Sequence, residues 1–159
     1  MTDSSTYTVE RSTEIDAKPE HVYAQLVDFH RWTAWSPWED LDPELQRTYS
    51  GPEQGVGATY AWKGNRKAGE GRMEITRAAE PGTVAIALRF VKPFKSSSTS
   101  MFVLAPAGEG TRVTWTMTGP KTFMTKVMGV FTSMDKLVGP DFEKGLARLK
   151  AVSEASTAS

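Results

Sequence analysis

Glu70, Arg72 and Glu74 alternate along the chain and so share one face of a strand. Turned inward, an arginine between carboxylates could orient a polar head group, or lift one carboxyl towards general-base use. Turned outward, the same residues form a charge ladder of little energetic weight. Met73 and Ile75 make the better inward pair, so the solvated arrangement is expected. Arg89, between Leu88 and Phe90, is read the same way. The two histidines, His21 and His30, are too few for a metal site. His21 is expected in solvent beside Glu20. His30 precedes a cluster of tryptophans and, with Glu70, Arg72 and Tyr60, completes the residues that could move a proton.

Other chemistries are excluded by what is missing. With no cysteine, the chain has no disulfide, thiolate nucleophile or cysteine-based zinc site. The glycines of Gly64 to Gly71 lack the strand-to-helix context and lysine-hydroxyl ending of a phosphate cradle. Gly64 and Asn65 are expected at positive φ in a basic hairpin tip. No catalytic residue is assigned, and no metal or cofactor is expected. Lysine plus arginine and aspartate plus glutamate both number 19, so nothing suggests a nucleic-acid partner. No apolar run is long enough for membrane insertion, and the polar start, Met1 to Thr6, has no signal-peptide core. A cytoplasmic protein is expected, and the sequence sets no oligomeric state.

The elements that would carry these residues can be read from periodicity. Tyr7 to Ile15 reads as a strand. Pro19 and Glu20 open a helix that buries Val22, Tyr23, Leu26 and Val27. Asp28 to Trp38 is a second short helix or turn holding Trp32, Trp35 and Trp38, rings suited to plug or line a pocket. Strands then follow at Glu44 to Tyr49, Gly57 to Lys63, Glu70 to Ala78, Thr83 to Val91, Ser96 to Leu104 and Thr111 to Thr118. Thr83 to Val91 has the strictest alternation, through Val84, Ile86, Leu88 and Phe90. Ser96 to Ser100 reads as a polar strand start.

A long amphipathic run closes the chain. Phe123, Val127, Phe131, Met134 and Val138 recur at helical spacing, and Phe142, Leu146, Leu149 and Val152 continue it. Gly139-Pro140 predicts a kink or restart in this Lys121 to Val152 helix. Ala151 to Ser159 is expected to fray. Met124 and Met128 add flexible, polarizable side chains, suited to a core or to an adaptable apolar cavity. Antiparallel strands with helices on one side make an α+β domain over 7–152, with 1–6 and 153–159 as flexible tails.

Particular segments resemble the helix-grip superfamily of START-like lipid-transfer domains, pollen-allergen-like proteins and the polyketide cyclase/dehydrase group. They are Ala17-Lys18-Pro19-Glu20-His21-Val22-Tyr23, Trp35-Ser36-Pro37-Trp38 with Leu41-Asp42-Pro43, and Tyr60-Ala61-Trp62-Lys63-Gly64-Asn65 with Gly69-Glu70-Gly71. Lys92-Pro93-Phe94 and Asp135, Gly139 and Asp141 to Leu146 complete them. The chain is most similar to bacterial polyketide cyclase, or SRPBCC-type, members.

The resemblance implies a curved seven-stranded antiparallel sheet wrapped around the C-terminal helix, with two short helices after the first strand. Between sheet and helix it implies an elongated cavity for a small apolar or amphipathic partner, lipid- or polyketide-like. Mapped onto this chain, the lining is Trp35, Trp38, Tyr60, Trp62, Met73, Phe90, Phe102, Trp115, Met117, Met124, Met128 and Phe131. Two alternatives stand beside ligand binding. One is a cyclase or dehydratase-type enzyme that folds a polyketide-like chain into a reactive geometry. The other is a co-chaperone-like protein-interaction module with a filled cavity.

Overall fold

The computed structural model of the chain describes residues 6–36, 44–65, 69–92, 96–120 and 134–157. Strand β1 (Thr6–Ile15) leads into helix α1 (Pro19–Leu26) and a 3₁₀-helix (Phe29–Ala34). Six strands follow: β2 (Gln46–Ser50), β3 (Thr59–Lys63), β4 (Glu70–Ala79), β5 (Thr83–Lys92), β6 (Ser96–Ala107) and β7 (Gly110–Pro120). Helix α2 (Met134–Thr157) ends the described chain. The strands form one antiparallel sheet in the order β1-β7-β6-β5-β4-β3-β2. Five of the six pairings join strands consecutive in sequence, as expected of a meander, and the sixth brings β1 against β7.

Alternation sorts the sheet into two faces. Val9, Ile75, Val84, Ile86, Phe102, Val113 and Trp115 are almost completely enclosed on the inner face. Arg72, Arg77, Arg89 and Arg112 lie exposed on the outer face. Pairings carry the inner rows across the strands: Val9 opposes Met117, Met117 opposes Ser100, and Ser100 opposes Ile86. Bulges between Glu70 and Gly71 and between Ile75 and Arg77 shift register along β4, the local device by which an antiparallel strand bends.

Helix α1 buries Val22, Tyr23, Gln25 and Leu26, and its last turn ends under the tryptophans. A helix leaves its final carbonyls without intrahelical partners. Here Trp32 Nε1 donates to the Leu26 carbonyl at 2.9 Å and Trp35 Nε1 to the Gln25 carbonyl at 3.2 Å. The two indoles therefore fill the interior and satisfy the helix end together. Asp28 caps the 3₁₀-helix by accepting from the His30 N–H at 2.9 Å.

Helix α2 narrows one expectation and corrects another. It runs through Gly139-Pro140 as one element, with no restart. Proline removes only its own donor, and Pro140 lies exposed while Phe142, Leu146 and Leu149 are buried. Tertiary packing thus outweighs a local defect. The helix also continues to Thr157, past the point where fraying was expected and into the proposed 153–159 tail. Ser153 is fully enclosed, and the Asp16 N–H donates to Glu154 Oε2 at 2.8 Å, which ties the last turns to the β1–α1 connection. A further correction concerns the β3–β4 hairpin. Gly69, and neither Gly64 nor Asn65, adopts positive φ, at 69°. The Gly69 N–H donates to the Asn65 carbonyl at 2.7 Å. The first half of the proposed helix, Lys121 to Ser133, lies outside the described residues.

Candidate functional site

The inner face divides into two regions of different character. Towards β1 and α2 it is filled by rings. Trp35 meets Trp32 at 4.5 Å and Phe102 at 5.9 Å, Phe102 stacks on Trp115 at 4.8 Å, and Trp115 stacks on Phe142 of α2 at 3.9 Å. Each of these side chains is at most 2% exposed. Towards β2, β3 and β4 the inner face is still apolar but only half covered. Trp62, Met73, Phe90 and Tyr49 pack against the core from its margin. Trp62 meets Phe90 edge-on at 5.6 Å, and its ring lies over Gly71, where a Cβ would stand 2.6 Å from the indole.

The residues proposed as lining fall on both sides of this division. Trp35, Phe102 and Trp115 belong to the filled region, with Met117 buried in the next inner row. Trp62, Met73 and Phe90 belong to the half-covered region. Tyr60 joins the two: it is 4% exposed, with Phe29, Tyr49 and Trp62 around its ring. Trp38, Met124, Met128 and Phe131 lie outside the described residues.

The candidates for proton transfer are not brought together. Arg72 and Glu74 approach to 3.4 Å on the outer face, with side chains 52% and 44% exposed. Glu70 and Arg72 border an outer groove of about 300 Å³ that also meets Lys63 and Val91 and is open to solvent. His30 lies at the rim, its Nδ1 2.9 Å from Asp28 Oδ1 and its ring stacked on Tyr49 at 4.0 Å. Only Tyr60 is on the inner face. Among the described residues, no cluster of His, Asp and Glu could hold a metal ion, and no helix is long and apolar enough to cross a membrane.

Polar groups on the inner face escaped the sequence reading. Tyr7, Ser98 and Ser100 occupy inner positions, with Ser98 beside Leu88 and Ser100 beside Ile86 and Met117. Burial raises the Tyr7 phenol above its usual 10.0, opposed in part by the neighbouring Ser98 hydroxyl. Ser98 Oγ is enclosed, yet it forms no hydrogen bond of good geometry among the described residues. The missed signal was parity: two steps back from Phe102 is Ser100, and two more is Ser98.

Comparison with known proteins agrees with this architecture. Protein Ms6760 from Mycobacterium smegmatis superposes with a TM-score of 0.65 at 19% identity, covering 98% of this chain and 96% of that one. Protein CV1439 from Chromobacterium violaceum gives 0.63 at 14% identity, covering 92% and 96%. Ara h 8.0201 gives 0.58 at 12% identity, covering 94% and 99%. At these identities the likeness is one of fold, the helix-grip arrangement. Among curated proteins, none matches the chain significantly. The family model described as polyketide cyclase / dehydrase and lipid transport matches residues 6–154, nearly the full length, and the chain belongs to that family.

Proposed function

We propose that the protein binds a small apolar or amphipathic molecule, lipid- or polyketide-like, between the inner face of the sheet and the C-terminal helix. One observation carries this reading. Trp62, Met73 and Phe90 point to the same side as the core but remain half covered, beside a ring cluster that is completely enclosed. Large apolar side chains gain little by standing at such a margin unless something else covers them, and ligand pockets are mostly apolar with a few placed polar groups. Family membership supports the same reading.

Native mass spectrometry of freshly purified protein, with chemical identification of any molecule released on denaturation, is the direct test. Wild type is expected to carry or take up an apolar ligand in one-to-one ratio. Trp62→Glu and Met73→Glu each place a charge in the half-covered region and should weaken uptake at least tenfold, with the far-ultraviolet circular dichroism retained. Unchanged uptake in both variants would place the ligand elsewhere.

A further inference from the structure

The inner face of β6 changes chemistry along its length. Leu104 and Phe102 are apolar and enclosed, and the next inner positions are Ser100 and Ser98. The Ser98 hydroxyl is buried without a well-formed partner among the described residues. That arrangement costs stability, and buried hydroxyls are seldom left so.

A second hydroxyl reaches the same place from β1. A Cβ added to Gly119 of β7 would stand 2.9 Å from the Tyr7 phenol oxygen and 3.0 Å from Ser98 Cβ. With no side chain at Gly119, the Tyr7 phenol and Ser98 come close together over the β7 backbone. Burial keeps the phenol protonated at neutral pH, hence a donor. From Ser98 the inner row continues through Leu88 and Met73 to Tyr60. Three strand spacings of about 4.8 Å make that row about 14 Å long.

Charge is missing from this row. Tyr7, Gly119, Ser98, Leu88, Met73 and Tyr60 are all uncharged, and the next row, from Val9 through Met117, Ser100 and Ile86 to Ile75, is uncharged as well. Arg11 stands a further row away and is engaged with Glu143 at 3.3 Å. An ionised carboxylate placed beside Tyr7 and Ser98 would lose its water and meet no cation of these rows among the described residues. A hydroxyl or carbonyl oxygen would gain hydrogen bonds at far smaller cost.

We infer that Tyr7 and Ser98 bind one uncharged oxygen of the ligand while Leu88 and Met73 take its apolar body, which makes the ligand a neutral oxygenated hydrophobe, not a fatty-acid-like anion. The inference rests on the pocket proposed above. The test uses the full chain, with N-phenyl-1-naphthylamine as a neutral fluorescent reporter at pH 7.5. 2-Naphthol and 2-naphthoate then compete for its place, since they share a ring system and differ in charge. Naphthol should displace the reporter at a concentration at least tenfold below naphthoate. Ser98→Ala and Tyr7→Phe should each reduce that preference about tenfold, the loss of one hydrogen bond. Equal or better competition by naphthoate overturns the inference but leaves the pocket standing, as does a preference that survives in both variants. No reporter binding to wild type overturns the pocket, and the inference falls with it.

Discussion

Phe142 is the ring through which α2 is fastened to the sheet, and its replacement tests that attachment. It is fully enclosed and lies on Trp115 with centroids 3.9 Å apart and planes 5° from parallel. Nearly superposed rings gain little from their quadrupoles, which favour offset or edge-on contact. Burial and dispersion should therefore supply most of the value of the contact. Truncating a buried phenylalanine to alanine costs about 3–5 kcal/mol, and the enclosure places Phe142→Ala near 4 kcal/mol. Phe142→Leu keeps most of the apolar volume and should cost less than about 1.5 kcal/mol. Against a domain stability of about 5–15 kcal/mol, the alanine variant loses a large share. Urea unfolding reads the difference: with a slope near 2 kcal/mol/M, the midpoint should fall by about 2 M for alanine and under 1 M for leucine. If leucine proves as damaging as alanine, the ring itself matters and the burial explanation is wrong. An alanine loss below about 2 kcal/mol would mean that α2 is held elsewhere.

Two glycines should respond in opposite ways. At Gly110 a Cβ would stand 2.3 Å from the Ile15 carbonyl oxygen, so Gly110→Ala must displace backbone and should cost about 1–3 kcal/mol. At Gly139 the nearest atoms it would meet among the described residues belong to the Arg11 guanidinium. Displacing that group would disturb its partly exposed ion pair with Glu143, a pair of small energetic weight. Alanine also favours the helix by about 1 kcal/mol, so thermal melting should show no loss. Thr111 Oγ1 donates to the buried Ala17 carbonyl at 2.7 Å, and Thr111→Val should lower stability by about 1–2 kcal/mol in the same urea assay. Glu154 is held below its usual 4.5 by its hydrogen bond to Lys150, then by the Asp16 N–H. A depressed carboxyl stabilises the fold above the unfolded value and loses that effect as pH falls through the folded one. Unfolding of wild type and Glu154→Gln should therefore differ at pH 7, and the difference should shrink in acid as pH falls below the ordinary carboxylate value and through the lowered folded one; a constant gap would refute the linkage.

Much of the fold was legible because it rests on alternation. Val84, Ile86, Leu88 and Phe90 announced β5, and turns at short intervals announced the meander from β2 to β7. The corrections arose where tertiary contacts outweigh local propensity. Pro140 predicted a kink or a restart, and the buried residues that follow it keep α2 one element without a restart. Ser153 and Glu154 looked like part of a tail because nothing local shows that Ser153 is enclosed or that Asp16 reaches Glu154. The site was less legible. Aromatic types drew attention to Trp35, Phe102 and Trp115, which pack in the filled region, while hydroxyls that share the inner parity, Tyr7 and Ser98, passed as ordinary strand residues. Residue type finds large apolar groups, whereas position along the sheet determines how completely each is covered.

The separation of the inner face into a filled end and a half-covered end has a consequence for how such a chain can change. Trp35, Phe102, Trp115 and Phe142 tie the helices to the sheet, and they lie on the side of β7 and α2. Trp62, Met73 and Phe90 lie on the side of β3, β4 and β5. The two regions share Tyr60, which touches Phe29 on one side and Trp62 on the other, and substitutions away from that shared partner should act more nearly independently. The far margin can therefore vary in size and polarity while the knot of rings keeps the architecture, so change at the margin need not come at the expense of foldedness.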